Sequence, residues 1–412
     1  MKMATASPTV LSAEPAPLEN YRRMLLILTG ALLCLGLVMV HSAGMVTADQ
    51  RFGSPNYFLI RHAIHLMLGC FTLAVLSVWD YHRLTKHWRW LLLAALILLI
   101  LVLIPGIGTK LNGARRWISL KIFTLQSSEI AKVLLIAAVA GWAASRREAI
   151  GTFRRGFLPA AAIVFGAVGL IACEPDLGTA ILVGAMLSGM LFVAGVRLSH
   201  ALPALVLALP AAALLAWSKL EYIRGRWETF ADGTADPLGK GYHINQAMIA
   251  QGSGGWFGLG LGSGQSKLLY LPESHNDFIL SVIGEELGLL GAGAVICCFA
   301  LLVWLGWRIA AGAPDKLGAL IAVGVTLMIG LQALMHIAVV THSMPTKGIG
   351  LPLVSYGGSS MIAMPAAIGL LLNVAGHSAS KKKKSATWKA ATPQTAAVKA
   401  EAWSGKTAEA AS

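Results

Sequence analysis

Trp88-Arg-Trp-Leu-Leu-Leu-Ala-Ala-Leu-Ile-Leu-Leu-Ile-Leu-Val-Leu-Ile-Pro105 holds one charged residue, Arg89, and the chain stays uncharged from there to Lys110. About 20 apolar residues in a helix cross the hydrocarbon core of a bilayer. Similar runs occur at 24–45, 58–79, 128–144, 157–173, 178–196, 200–217, 278–307, 317–341 and 361–376. Of the 412 residues, 56% are hydrophobic and 13% charged, against about 25% charged in an ordinary soluble domain. The expected fold is an all-α polytopic membrane protein of about ten transmembrane helices, with a large outer loop between helices 7 and 8.

Basic residues set the orientation. Arg22 and Arg23, then Arg83, Lys86 and Arg89, then Arg146, Arg147, Arg154 and Arg155, then Arg197, Arg308, Lys316 and Lys381 to Lys384 fall at alternate loop ends. Positive loops stay inside, which places both termini in the cytoplasm. Residues 1–20 read as a disordered N-terminus, 21–376 as the transmembrane domain and 377–412 as a disordered basic tail. The formal net charge is +14. Its short bursts between apolar runs fit topology signals and anionic membrane lipids, not nucleic acid. The five cysteines all lie in apolar runs, and no disulfide is expected.

This orientation leaves 106–127, 174–177, 218–277 and 342–360 outside, and these segments are unexpectedly basic. They contain Lys110, Arg115, Arg116, Lys121, Lys219, Arg224, Arg226, Lys240, Lys267 and Lys347. Long loops cross regardless of charge. An anionic, phosphate-bearing ligand at headgroup depth is the preferred explanation of the cations. Segment 218–277 is rich in glycine, with Gly252, Gly254, Gly255, Gly258, Gly260, Gly262 and Gly264. No strand precedes them and no βαβ unit is available, which speaks against a dinucleotide fingerprint. Close backbone packing in re-entrant or interfacial helices suits them.

Candidate reactive groups cluster at the ends of these segments. Asp277 stands where the chain re-enters the bilayer, and two readings stand side by side: a general base in a partly desolvated position, or N-capping by Asn276 or Asp277. Glu285 and Glu286 lie two turns deeper, as a structural salt bridge or as functional carboxylates. Glu129 and Lys132, spaced i,i+3, share one helix face. Asp176 and Thr179 suit a helix cap. His62 and His65 are expected to face other helices or the interface. The stretch 344–360, with two prolines and four glycines, reads as a rigid cap carrying Lys347. No metal-ligand spacing and no P-loop are present.

Six motifs follow in order: Asn112-Gly-Ala-Arg-Arg-Trp-Ile118, Glu174-Pro-Asp-Leu-Gly-Thr179, Gly252-Ser-Gly-Gly255, Leu271-Pro-Glu-Ser-His-Asn-Asp-Phe-Ile279, Gly284-Glu-Glu-Leu-Gly288 and Pro352-Leu-Val-Ser-Tyr-Gly-Gly-Ser359. Over roughly 20–377 the chain resembles the SEDS family (shape, elongation, division and sporulation), the FtsW/RodA/SpoVE group. Pro345-Thr-Lys-Gly348 resembles the division branch, FtsW, more than RodA. The resemblance implies polymerisation of lipid II, an undecaprenyl-pyrophosphate disaccharide-pentapeptide, into peptidoglycan glycan strands at the septum. It implies Asp277 as the catalytic aspartate and Arg116, Glu129, Lys132 and Lys347 as functional polar positions. The sequence shows no dedicated cofactor site, and a divalent cation at the pyrophosphate is compatible. The implied partners are a class B penicillin-binding transpeptidase and other divisome proteins. Four positions depart from the usual pattern: Ser127 for Pro, Asn276 for Thr, His336 for Asn and His342 for Gly. A lipid II flippase, a non-catalytic divisome scaffold and an elongation polymerase of the RodA branch are the competing readings.

Overall fold

A computed structural model describes residues 18–378 apart from 112–113, 120–123, 147, 198, 266 and 268–273; within 201–241 it describes Trp217, Gly225 and Phe230. The chain runs through α1 (Leu18–Phe52), α2 (Tyr57–Val78), a short α3 (Tyr81–Lys86) and α4 (Trp88–Leu103). Three short strands follow, β1 (Gly108–Leu111), β2 (Ala114–Ser119) and β3 (Thr124–Gln126), and then α5 (Ser127–Ser145). A π-helical turn, Phe153–Phe157, leads into α6 (Leu158–Cys173), and α7 (Leu177–Ala194) comes next. Past 241 come α8 (Tyr242–Ser253), α9 (Ile279–Ala311) and α10 (Lys316–Val340), and α11 (Ser360–Ser378) ends the described chain.

Eight of these helices are long and apolar enough to cross a membrane, and α4 is a shorter apolar helix. They match nine of the ten apolar runs. The seventh run, 200–217, lies almost wholly outside the described residues, as do the two expected disordered ends. Helix α5, α10 and α11 form the interior, with most of their residues buried. Helix α2 instead exposes Ile60, Ile64, Met67 and Phe71 along one stripe. In water such a stripe would drive association; in a bilayer it is the solvated face. Helices meet where side chains are small. A Cβ added to Gly69 would lie 2.1 Å from the Met361 carbonyl oxygen, so α2 and α11 are in backbone contact.

Two features outside the helices shape the end of the bundle that carries segments 106–127 and 254–264. Segment 106–127, expected only as a loop, contains an antiparallel three-stranded sheet in the order β1-β2-β3. Its strands are three to six residues long, too short to declare themselves by alternation. β3 runs directly into α5, so the sheet is anchored to the interior. The glycine-rich segment 254–264 packs along the first turns of α9. Leu259 N donates to Glu285 O at 3.0 Å and Leu289 N donates to Gly255 O at 2.9 Å. Helix α9 breaks at Gly288 (φ 70°, ψ −173°), a conformation open to glycine. The break exposes backbone groups of α9, and the glycine-rich segment pairs with them, as low-dielectric surroundings demand.

Candidate active site on the outer side

The loop 342–359 fastens the outer ends of several elements together. Ser355 Oγ donates to Asn276 O at 2.7 Å and accepts from Leu351 N at 2.7 Å. Ser359 Oγ accepts from Gln126 N at 2.6 Å. Tyr356 N donates to His275 O at 2.9 Å. The rings of Phe58 and His275 stack at 4.4 Å, with Tyr356 edge-on to Phe58 at 5.1 Å. The segment 274–277 is thus held between α1, α2 and the final loop.

Under this loop lies a cavity of about 360 Å³. Arg51, Arg61, Arg116 and Lys132 line it, together with one carboxylate, Glu129. Lys132 Nζ donates to Glu129 Oε1 at 2.8 Å and to Gln332 Oε1 at 2.7 Å. Gln332 Nε2 donates in turn to Gly350 O at 3.1 Å. The pair Glu129–Lys132 is buried, and Glu129 sits in the first turn of α5, where the helix dipole favours an anion.

Arg116 projects from β2 to the turn between α6 and α7. Its Nε donates to Glu174 O at 3.2 Å, its Nη2 to Pro175 O, and its Nη1 lies 3.6 Å from Asp176 Oδ2. Asp176 also caps α7, accepting from Thr179 N at 3.1 Å, as its position in the sequence predicts. Glu174 is fully buried beneath them. Desolvation pushes its carboxyl up to about 8, opposed by the hydrogen bond from Ser127.

Of the five candidate residues, Arg116, Glu129 and Lys132 line the cavity. Asp277 and Lys347 flank it. Asp277 follows the lining residue Asn276 and stands against the lining residue Gly348: a Cβ added to Gly348 would lie 3.1 Å from Asp277 Oδ2. The Lys347 stem packs over Gly178 at the start of α7. The capping alternative for Asn276 and Asp277 is not what forms. The N-cap of α9 is Phe278, with no side-chain cap. Glu286 resolves as structural: it accepts from Ser42 Oγ at 2.7 Å and Gly262 N at 3.0 Å and pairs with Lys267 Nζ at 3.1 Å.

The sequence pattern does not set apart Arg51, Arg61 or Gln332, all of which line the cavity. The same alternation of charge places the end of α1, with Arg51, and the turn 53–56 on the same side as the basic segments expected outside. His65, expected to face a helix or the interface, lines the cavity. Gln332 carries no charge and sits mid-helix, so nothing in the pattern sets it apart.

The whole stretch from residue 22 to residue 380 matches the cell cycle protein family of FtsW, RodA and SpoVE. This chain belongs to that family. It is 41% identical to the stage V sporulation protein E of Bacillus subtilis over 86% of this chain and 97% of that protein. It is 41% identical to the probable peptidoglycan glycosyltransferase FtsW of Geobacter metallireducens, over 87% of this chain and 95% of the relative. Among solved structures, one described as structural coordination of polymerization and crosslinking by a peptidoglycan synthase complex contains a chain that superposes with a TM-score of 0.69 at 30% identity, covering 86% of this chain and 97% of that one. Like these family members, the chain is a multi-pass inner-membrane protein.

Three of the four departures from the usual family pattern have local explanations. Ser127 occupies the first position of α5, where proline is favoured; its Oγ instead donates to Glu174 at 3.2 Å. His336 donates from Nδ1 to Ile349 O at 2.9 Å, a bond that asparagine also can make. His342 has φ +54°, the left-handed region that favours the usual glycine.

Proposed function

We propose that this protein polymerises lipid II into glycan strands at the outer face of the inner membrane, in septal wall synthesis during cell division. The observation that carries this reading is the outer cavity, with four cations on its wall and Asp277 at its edge. The cations suit a pyrophosphate; the adjoining carboxylate suits a sugar hydroxyl. Relatives named peptidoglycan glycosyltransferase support the same class of reaction.

The donor sugar is α-linked to pyrophosphate and the product bond is β, so one inverting displacement suffices. The acceptor hydroxyl attacks the anomeric carbon, and its proton passes to the Asp277 carboxylate. The C–O bond to pyrophosphate breaks and the electron pair leaves with the phosphate oxygen. Lys132, Arg61 and Lys347 stabilise the departing charge. Arg116, bound to the 174–176 turn, shapes the wall and adds positive potential. A divalent cation enters this proposal as a companion of the pyrophosphate.

Both termini are assigned to the cytoplasm on charge alone. The proposed partner is a class B penicillin-binding transpeptidase, with other divisome proteins around it. The deciding experiment supplies labelled lipid II to purified protein with its cognate transpeptidase. Wild type should give polymer, and Asp277→Ala should give ~10²–10⁴-fold less. Equal polymer from both overturns the role of Asp277. Headgroup translocation in liposomes without polymer establishes the flippase instead, and division supported by Asp277→Ala establishes the scaffold.

A further inference from the structure

At the end of α2 away from the cavity, Asp80, His82 and His377 converge from two distant parts of the chain. Asp80 Oδ1 lies 2.7 Å from His82 Nδ1 and 3.7 Å from His377 Nε2. One ligand atom from each of the three residues falls within 4.8 Å of the other two. We propose that these residues form a binding site for one divalent first-row transition metal ion, zinc being the best match.

The donor set is two imidazole nitrogens and one carboxylate oxygen. Imidazole donors suit zinc, nickel, copper and iron, whereas magnesium and calcium select oxygen ligands. Three protein ligands leave a further position for water, the arrangement of an open zinc site.

Both histidines have their second nitrogen occupied. His82 Nε2 lies 2.9 Å from Asp315 Oδ2, and His377 Nδ1 lies 3.0 Å from Asn373 O. Without metal, His82 Nδ1 hydrogen-bonds Asp80 Oδ1 at 2.7 Å. A bound ion would displace that proton and take the Nδ1 lone pair, while a proton on each second nitrogen still satisfies its oxygen acceptor. This is the outer-shell pattern that orients metal-bound histidines. Asp315 is itself fixed, accepting from Tyr81 Oη at 2.8 Å and, at Oδ1, from Gly318 N at 2.7 Å.

The backbone scaffold is held independently of any ion. Asn373 Nδ2 donates to Ser77 O and Trp79 O, each at 3.0 Å, joining α11 to the corner between α2 and α3. The three ligand side chains are each between 38% and 46% exposed, so an ion has an entry path. Bound there, it would lock the end of α11 to that corner, with the turn between α9 and α10 attached through Asp315.

The test uses full-length protein carrying no histidine tag, stripped with chelator and titrated with Zn²⁺ against a chromogenic chelator, and separately with Co²⁺. Wild type should bind one equivalent of Zn²⁺, show Co²⁺ ligand-field bands in the visible range, and melt at a higher temperature with Zn²⁺. His377→Gln and His82→Gln should lose all three effects. Asp315→Asn should weaken binding ~10–100-fold, the usual cost of losing an outer-shell partner. Asp277→Ala, at the far end of α2, should retain full binding. His377→Gln removes the long 3.7 Å contact, the bond to Asn373 O and the edge contacts with the Tyr81 and His82 rings, so its folding is checked by its melt without metal. Equal Zn²⁺ affinity in wild type and in a folded His377→Gln overturns the proposal, as does wild type that binds no metal.

Discussion

Asp277 Oδ2 sits 3.1 Å from where the Cβ of a residue at 348 would be, and that residue is glycine. The final outer loop therefore determines where the carboxylate can point. Gly348→Ala adds one methyl group that the Asp277 side chain must avoid by a few tenths of an ångström. Small displacements of reacting groups cost up to ~10²-fold in rate. Polymerisation should fall ~10–100-fold while the melting temperature stays close to wild type. Full activity in Gly348→Ala would mean that Asp277 is placed by other contacts.

The Glu129–Lys132 pair is buried, and Lys132 is 1% exposed. Removing one partner strands the other charge. Lys132→Met should destabilise the protein by about 3–5 kcal/mol, and replacing both by methionine should recover most of that loss. The double variant should still make no polymer, because the pyrophosphate loses a cation. Melting in detergent reads the first effect and the lipid II assay the second. A double variant with normal polymerisation would remove Lys132 from the chemistry.

Glu174 gives a pH signature. Burial raises its carboxyl from the ordinary 4.5 to about 8, so the folded state holds this proton more tightly than the unfolded chain does. Its contribution is fully present below pH about 4.5 and is lost as pH rises through about 8. Glu174→Gln replaces a neutral acid with a neutral amide. Its melting temperature should fall less than that of wild type between pH 5 and 9. Parallel curves for the two proteins would place the pH dependence elsewhere.

The membrane helices were legible because length and hydropathy are summed over some twenty residues and survive any local error. Glu129 and Lys132 were legible as a pair because i,i+3 spacing is geometry. Asp277 was open from its residues alone. The capping alternative failed because α9 starts one residue later than a cap at Asp277 requires. The sheet in 106–127 escaped because its pairing joins strands whose individual patterns are too short to read. The family preference for glycine at 342 became intelligible only with the backbone angle in hand. Gln332 was invisible because its importance lies in whom it touches, Lys132 and Gly350.

The two serines of the final loop reach far back along the chain. Ser355 bonds a residue 79 positions earlier, and Ser359 one 233 positions earlier. During synthesis the polypeptide enters the bilayer from its N-terminus, so Asp277 and the cationic wall are in the membrane well before either fastening exists. These two fastenings beside the cavity therefore cannot form until the ribosome has delivered nearly the entire span. A nascent chain stalled short of residue 355 holds the earlier cavity residues in the bilayer with neither fastening in place.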